Sequence, residues 1–299
     1  MRFTKMHGAG NDYVYVDGFR DTLPPDPAHA ARFISDRHFG VGADGLILIC
    51  PEPQDASVDA RMRMFNADGS ESEMCGNGIR CVAKYLFDHG ISQKPIIRIA
   101  TGDGIKELEV FAQDGVVHEV RVDMGLPLLA AEEIPTLIQG DPAQGNRVVN
   151  VPIDVGRQQV SVTCVSMGNP HCVIFIDDLG VDTKSSADMH SFVQWMGTTI
   201  ENDPRFPQRV NVEFVSVLSP NEVRQWTWER GSGETMACGT GASAVCVAGV
   251  LNGHTRRALQ CRLNGGTLQL EWDVDTNHVF MTGPAVEVFQ GEIDVPAAE

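Results

Sequence analysis

Two cysteines of this chain stand in two copies of one local pattern. Cys75-Gly76-Asn77-Gly78 and Cys238-Gly239-Thr240-Gly241 each run directly into apolar residues with helical period. A thiol at a helix start lies beside the unpaired N–H groups of the first turn, which favour its anion. The glycines after it let those amides approach a ligand closely. Two such thiols make a matched acid/base pair. One takes a proton from one face of a carbon while the other returns a proton to the opposite face. The amides after each cysteine suit the carboxylate of an amino acid, with its α-carbon between the two sulfurs. With no cofactor as electron sink, those amides must also carry the enediolate-like charge that forms on proton loss. His171 is a candidate tuning partner for one thiol and Glu229 for the other. A single Cys-Gly pair is equally well a tight turn, and a lone histidine is more often structural. The second copy in register is what favours chemistry.

The duplication extends beyond the cysteines. At an offset of 163 residues, the distance from Cys75 to Cys238, Asn66–Gly78 lies on Glu229–Gly241 without a gap. Upstream, Gly10-Asn11-Asp12 resembles Gly168-Asn169-Pro170. Asn11 precedes its cysteine by 64 residues and Asn169 precedes its own by 69. Downstream, Met124-Gly125-Leu126-Pro127 parallels Thr282-Gly283-Pro284. Three matches in one order predict two similar domains, 1–127 and 128–284, with the last strand, within 285–299, returning to the first.

The elements that must hold the thiols follow from local pattern. Val14–Asp17, Leu46–Ile49 and Val173–Asp177 are short β-rich runs. Ala28–Phe39 reads as a helix with Asp26 as N-cap and Pro27 at its first position. Its counterpart is Ala187–Ile200, with Met189, Phe192, Val193, Met196 and Ile200 on one face. Ile79, Val82, Ala83, Leu86 and Phe87 recur at helical spacing before Gly90. The stretch after Cys238 is apolar nearly all round, which marks a buried helix. The expected fold is α/β (α+β): two pseudo-symmetric domains, each a mostly antiparallel sheet wrapped around a central helix. The segment Ala130–Gln159 has no strong period and reads as a long surface excursion.

Composition narrows the partners. A formal charge of −17 argues against nucleic acid and anionic membranes. No apolar run approaches the ~18 residues of a membrane span, and the start has no signal-peptide pattern. Eight cysteines without a CxxC pair argue against a zinc ribbon or a secreted disulfide framework, so no metal site is expected and a reducing, cytoplasmic compartment is. Gly40-Val41-Gly42-Ala43-Asp44-Gly45 matches a dinucleotide fingerprint, but a helix precedes it and a strand follows, the reverse of the required order.

The segment Asn66–Cys81, with Phe3–Asp12, Ser166–His171, Arg209–Phe214 and Trp228–Gly241, resembles the diaminopimelate epimerase family over nearly the whole chain. The resemblance implies a cofactor-free epimerase of LL- and meso-diaminopimelate, serving lysine and peptidoglycan precursor synthesis as a homodimer. Its active site would lie in the cleft between the domains, which close over the substrate. Carried over by position, Cys75 and Cys238 are the acid/base thiols. Gly76, Asn77, Gly239 and Thr240 hold the reacting carboxylate, and Asn11, Asn66, Asn169, Asn211, Glu229 and Arg230 line the substrate. The chemistry agrees: a guanidinium grips a distal carboxylate in two places, and asparagines serve an ammonium and a carboxylate together. Gly45 is a departure, since some members carry a substrate-contacting Gln there. The nearest rival is a racemase of another amino acid, histidine for example, on the same scaffold. A thiol-redox or metal-binding role for Cys75 and Cys81 is the rival from another class; their spacing of six does not share a helix face.

Overall fold

The computed structural model describes residues 1–296 of the 299-residue chain. The last three residues of the expected returning segment, 297–299, lie outside the described residues. The fold is mixed α+β, rich in strand, and the chain divides into two compact units: Met1–Asp123 with the tail from Thr282, and Met124–Met281.

The first unit contains β1 (Arg2–Gly8), β2 (Asn11–Asp17), α1 (Pro27–Ser35), β3 (Gly45–Cys50), β4 (Ala60–Asn66), β5 (Glu71–Ser72), α2 (Gly76–Asp88), β6 (Ile96–Thr101), β7 (Gly104–Gln113) and β8 (Val116–Asp123). β1 and β2 are antiparallel, β2 and β3 parallel, and β3, β4 and β5 antiparallel in turn. β4 then pairs parallel with β6, which opens the antiparallel run β6–β7–β8.

The second unit contains β9 (Val151–Val155), β10 (Gln158–Ser166), β11 (Pro170–Phe175), α3 (Ser186–Glu201), β12 (Asn211–Ser219), β13 (Glu222–Glu229), β14 (Gly233–Thr235), α4 (Gly239–Leu251), β15 (Ala258–Arg262) and β16 (Thr267–Trp272). Its pairings repeat the first unit's: β10 antiparallel to β11, β11 parallel to β12, β12, β13 and β14 antiparallel in turn, β13 parallel to β15, and β15 antiparallel to β16. β17 (Val279–Pro284) crosses the division of the chain, and β18 (Val286–Glu292) pairs antiparallel with β1. The register repeats as well. Gly45 pairs with Tyr13 on one side and Asn66 on the other, while Asn211 pairs with His171 and the adjacent Val212 with Trp228.

Each cysteine-led helix is the central one of its unit. α2 packs on β1, β2 and the β6–β8 run, and Ile79, Val82, Ala83 and Leu86 are fully buried. α4 packs on β10, β11, β12, β15 and β16, and its Ala242, Ala244, Val245, Val247 and Ala248 are fully buried, as its uniform apolarity predicts.

Three expectations change. α1 starts as expected, with Asp26 accepting from His29 N at 3.0 Å, but stops at Ser35 rather than Phe39. Asp36 turns extended and its carboxylate takes the amides of His38 and Phe39, which diverts the backbone from helical bonding. β11 stops at Phe175 rather than Asp177, whose carboxylate instead accepts from Ser216 Oγ and Val217 N. The segment Ala130–Gln159 is not a surface excursion. Ala131, Ile134, Ile138, Val148, Ile153 and Val155 belong to the core of the second unit, packed with α3 and β10–β12. Two short 3-10 turns, isolated bridges and β9 carry the backbone there, so the buried side chains follow no single period.

Candidate active site

Cys75 is the N-cap of α2. Its backbone is extended (φ −138°, ψ 117°) and its sulfur accepts from Gly78 N at 3.3 Å. The third residue after a cap supplies that amide, which explains the Cys-x-x-Gly spacing. The sulfur donates to Asn11 Oδ1 at 3.4 Å, and Asn77 Nδ2 reaches the same oxygen at 3.3 Å. Asn11 is oriented by Asp44, whose Oδ2 accepts from Asn11 Nδ2 at 2.7 Å and from Asp12 N at 3.0 Å. Burial, then the nearness of Cys75 and Asp44, keeps the Tyr13 phenol well above its ordinary titration range and therefore neutral. Beneath the first turn lies Arg80, fully buried. Its guanidinium donates to Gly76 O at 3.1 Å, to Asn77 Oδ1 at 2.9 Å and to Pro284 O at 3.3 Å. One cation thus locks the two residues expected to hold a carboxylate. Burial pushes the neighbouring Cys81 thiol up to about 11.

Cys238 repeats the arrangement as N-cap of α4 (φ −120°, ψ 113°), its sulfur accepting from Gly241 N at 3.4 Å. Thr240 Oγ1 lies 3.4 Å from the sulfur and accepts from Asn169 Nδ2 at 3.3 Å. Asn169 Oδ1 accepts from His171 Nε2 at 2.9 Å. The other ring nitrogen of His171 bonds Glu213 Oε1 at 2.8 Å, with both side chains fully buried.

The electrostatics of Cys238 depart from expectation. Burial, then Glu229 and Glu213, drives its thiol well above the ordinary value, against the opposing hydrogen bonds from Thr240 and Gly241 N. The magnitudes explain the order. A helix terminus offers an anion at most ~2 kcal/mol, while full burial moves a pKa by up to ~3–5 units, each worth ~1.4 kcal/mol. In this half-site Cys238 is a thiol.

The remaining predicted residues take distinct places. Glu229 accepts from Thr235 Oγ1 at 2.6 Å. Asn211, buried, donates to Pro170 O at 2.9 Å and accepts from Arg230 N at 2.9 Å, so it ties the start of β11 to the turn after β13. Arg230 Nη1 reaches Gln208 O at 3.0 Å. Asn66 donates to Ser70 Oγ at 3.0 Å within the turn between β4 and β5. Gly45 admits no side chain as the backbone stands: a Cβ would lie 2.2 Å from Phe65 O and 2.9 Å from Tyr13 Cε1. Cys75, Asn11, Gly76 and Asn77 therefore form one cluster. Cys238, Gly239, Thr240, Asn169 and His171 form the other, with Glu229, Asn211 and Arg230 on the adjoining strand ends.

Sequence reasoning missed the supports: Asp44, Tyr13, Arg80, Glu213 and Glu201. Glu201 ties down the turn after β13, accepting from Gly231 N at 2.8 Å, Trp228 Nε1 at 2.7 Å and Arg209 Nη1 at 3.1 Å. One signal was present. Glu213 is the lone charge in the β-rich run Val210–Val217, where a buried strand is expected to carry none.

The family model for diaminopimelate epimerase matches residues 3–129 and 163–288. A diaminopimelate epimerase of Agathobacter rectalis is 50% identical over 297 residues, covering 99% of this chain and 100% of its own. That of Desulfovibrio desulfuricans is 51% identical, covering 98% of each chain, and that of Methanococcus maripaludis 47% identical, covering 99% and 100%. Among solved structures, a probable proline racemase from Agrobacterium radiobacter superposes with a TM-score of 0.72 at 16% identity, covering 99% of this chain and 93% of its own. A phenazine biosynthesis protein of the PhzF family from Bacillus anthracis superposes at 0.68 and 15% identity, covering 98% of each. These two likenesses concern the fold alone. The near-complete matches at about half identity, and the two capping cysteines they span, mean that the chain belongs to the diaminopimelate epimerase family.

Proposed function

We propose that this chain interconverts LL- and meso-2,6-diaminopimelate by two-thiol acid/base catalysis, without a cofactor. The observation that carries the reading is the pair of cysteines, each capping the central helix of a unit, in a chain of this family. One sulfur, as thiolate, takes the α-proton. The C–H electron pair passes into the carboxylate as an enediolate, and the other thiol gives its proton to the opposite face. The two cysteines end with their protonation states exchanged, and the reverse reaction restores them. The reading requires both sulfurs to reach one α-carbon.

The chain's own groups supply the rest. The amides of Gly76-Asn77 and Gly239-Thr240 hold the reacting carboxylate and stabilise the enediolate. Arg80, fixed beneath the first of these pairs, keeps it in place without touching substrate. Asn11 and Asn169 sit beside the sulfurs, while Asn66, Asn211, Glu229 and Arg230 serve the amino-acid groups of the substrate, with Arg230 for the distal carboxylate. His171 and Glu229 tune the thiols. Burial, with Glu229 adding to it, raises Cys238 and so keeps it protonated and ready to donate. The same reading places the enzyme as a homodimer in the cytoplasm, in lysine and peptidoglycan precursor synthesis.

The test is reduced protein with LL-diaminopimelate in heavy water, followed by NMR. Deuterium entering one α-centre as meso product appears is the expected outcome. Folded, reduced protein that leaves diaminopimelate unexchanged would overturn the reading and direct the search to other amino acids, histidine first.

A further inference from the structure

We propose that Glu213 is a positioning residue for the Cys238 half-site, holding the chain His171–Asn169–Thr240 that ends at the sulfur. The inference rests on Cys238 being one of the two acid/base thiols. It is carried by four consecutive contacts of the second unit: Glu213 Oε1 to His171 Nδ1 at 2.8 Å, His171 Nε2 to Asn169 Oδ1 at 2.9 Å, Asn169 Nδ2 to Thr240 Oγ1 at 3.3 Å, and Thr240 Oγ1 to Cys238 Sγ at 3.4 Å.

The amide of Asn169 sets the donors at the middle of the chain. Asn169 spends its N–H on Thr240, so its carbonyl oxygen is the acceptor for His171, and His171 presents a donor on Nε2. On the Nδ1 side the ring faces the Glu213 carboxylate at 2.8 Å, which fixes the orientation of the ring. Thr240, already accepting from Asn169, has its own hydrogen available for the sulfur 3.4 Å away. That hydrogen suits a thiolate, the state Cys238 takes after it has protonated substrate. A neutral residue at 213 removes the anchor for the ring, and the polarity of every later link becomes free to reverse.

Two further observations separate this from an ordinary buried ion pair. Glu213 Oε2 is buried with no hydrogen-bond partner among the described residues, an arrangement that costs stability and that packing alone does not call for. The carboxylate also lies against the first turn of α4. A Cβ on Gly241 would stand 2.5 Å from Glu213 Oε1, so the glycine in Cys-Gly-Thr-Gly admits the carboxylate as well as a ligand.

The experiment compares Glu213→Gln, Glu213→Asp and Cys238→Ala in the full chain. It reads kcat and KM in both directions, the pH profile of kcat/KM, and melting temperature. Gln keeps the shape, so Glu213→Gln is expected to melt near wild type, to lose roughly tenfold or more in kcat with a smaller change in KM, and to shift a limb of the pH profile to lower pH. Asp, which restores the charge, is expected to recover part of the rate and return that limb. If Glu213→Gln folds and matches wild type in kcat and in its pH profile, the positioning role is wrong, as it is if the rate falls only in step with melting. Cys238→Ala keeps the two ideas apart. An active Cys238→Ala removes the two-thiol reading itself, whereas an inactive one beside an unaltered Glu213→Gln removes only this inference. Should Glu213→Gln not fold, Glu213→Asp decides: full rate with an unmoved pH profile overturns the proposal, and a slowed enzyme with a moved profile sustains it.

Discussion

The two units repeat one order of strands and one way of capping a central helix, yet the chemistry beneath the two caps is opposite. Under α2 the space beside Gly78 is filled by an apolar side chain, with Ile47 Cδ1 2.6 Å from where a Cβ would stand. Under α4 the equivalent space beside Gly241 holds the Glu213 carboxylate. Cys75 is surrounded by amides, a neutral phenol and a buried guanidinium. Cys238 has two carboxylates near it, and burial adds to their effect. The lesson is that duplication supplied the geometry, two equivalent thiols on two equivalent helix ends, while divergence of the strands beneath supplied the asymmetry. Two-base epimerisation needs both, because equivalent thiols must differ by one proton at the moment of attack.

The comparison can be broken most forcefully at the sulfurs. Cys75→Ala and Cys238→Ala are each expected to lower turnover by roughly 10²–10⁴-fold or more while melting near wild type. Near-normal epimerisation by either variant would show that the capping cysteines are only caps. The glycines sharpen the contrast. In Gly78→Ala the new methyl meets the flexible end of Ile47, which can turn aside. In Gly241→Ala it meets a carboxylate held by His171 and lies 3.2 Å from Gln225 Nε2. Gly241→Ala is therefore expected to cost about 1–3 kcal/mol of stability and most of the activity, and Gly78→Ala less of both. Equal melting temperatures for the pair would mean that the filling under the two caps does not differ in rigidity.

A smaller effect concerns pH. Cys81 and Cys246 titrate at about 11 and about 12 in the folded protein, against an ordinary 9.0, because burial disfavours their thiolates. A raised acid contributes its full stability below the unfolded value and loses it as pH rises toward the folded one. Melting temperature is thus expected to be level from neutral pH to about 9 and to fall between about 9 and 12, each such thiol withdrawing about 1.4 kcal/mol per unit. A flat profile across that window, with reductant present, would mean these thiols are not sequestered. The smallest expected effect is Glu229→Gln, which removes one of the two carboxylates acting on Cys238 and should lower the pH at which that sulfur is alkylated, read by mass spectrometry. No change there would assign the asymmetry to burial and Glu213.

Much of this site is legible in the chain because its geometry is local. A cap bonds the amide three residues on, so Cys75 to Gly78 and Cys238 to Gly241 are visible in four-residue windows. The start of α1 at Asp26-Pro27 and the buried faces of α3 and α4 are visible for the same reason. What was missed is non-local or aperiodic. α1 ends early because one side chain, Asp36, captures amides that the helix would use. The 130–159 segment buries Ile134, Ile138 and Val148 through irregular backbone, which leaves no period to read. Arg80 looks like a surface position on a helix until the sheet closes over it.

By itself, then, the sequence determined that there are two halves, that each presents a thiol at a helix start, and which small residues follow it. Only the tertiary structure decided what those thiols feel. His171 and Glu213 are 42 residues apart and meet because β11 and β12 run parallel in one register. Cys238 is held as a thiol because burial outweighs the helix terminus it caps. Capping is set by bonds between near neighbours, whereas burial and charge proximity are sums over everything the fold brings within a few ångströms, and no window of sequence contains that sum.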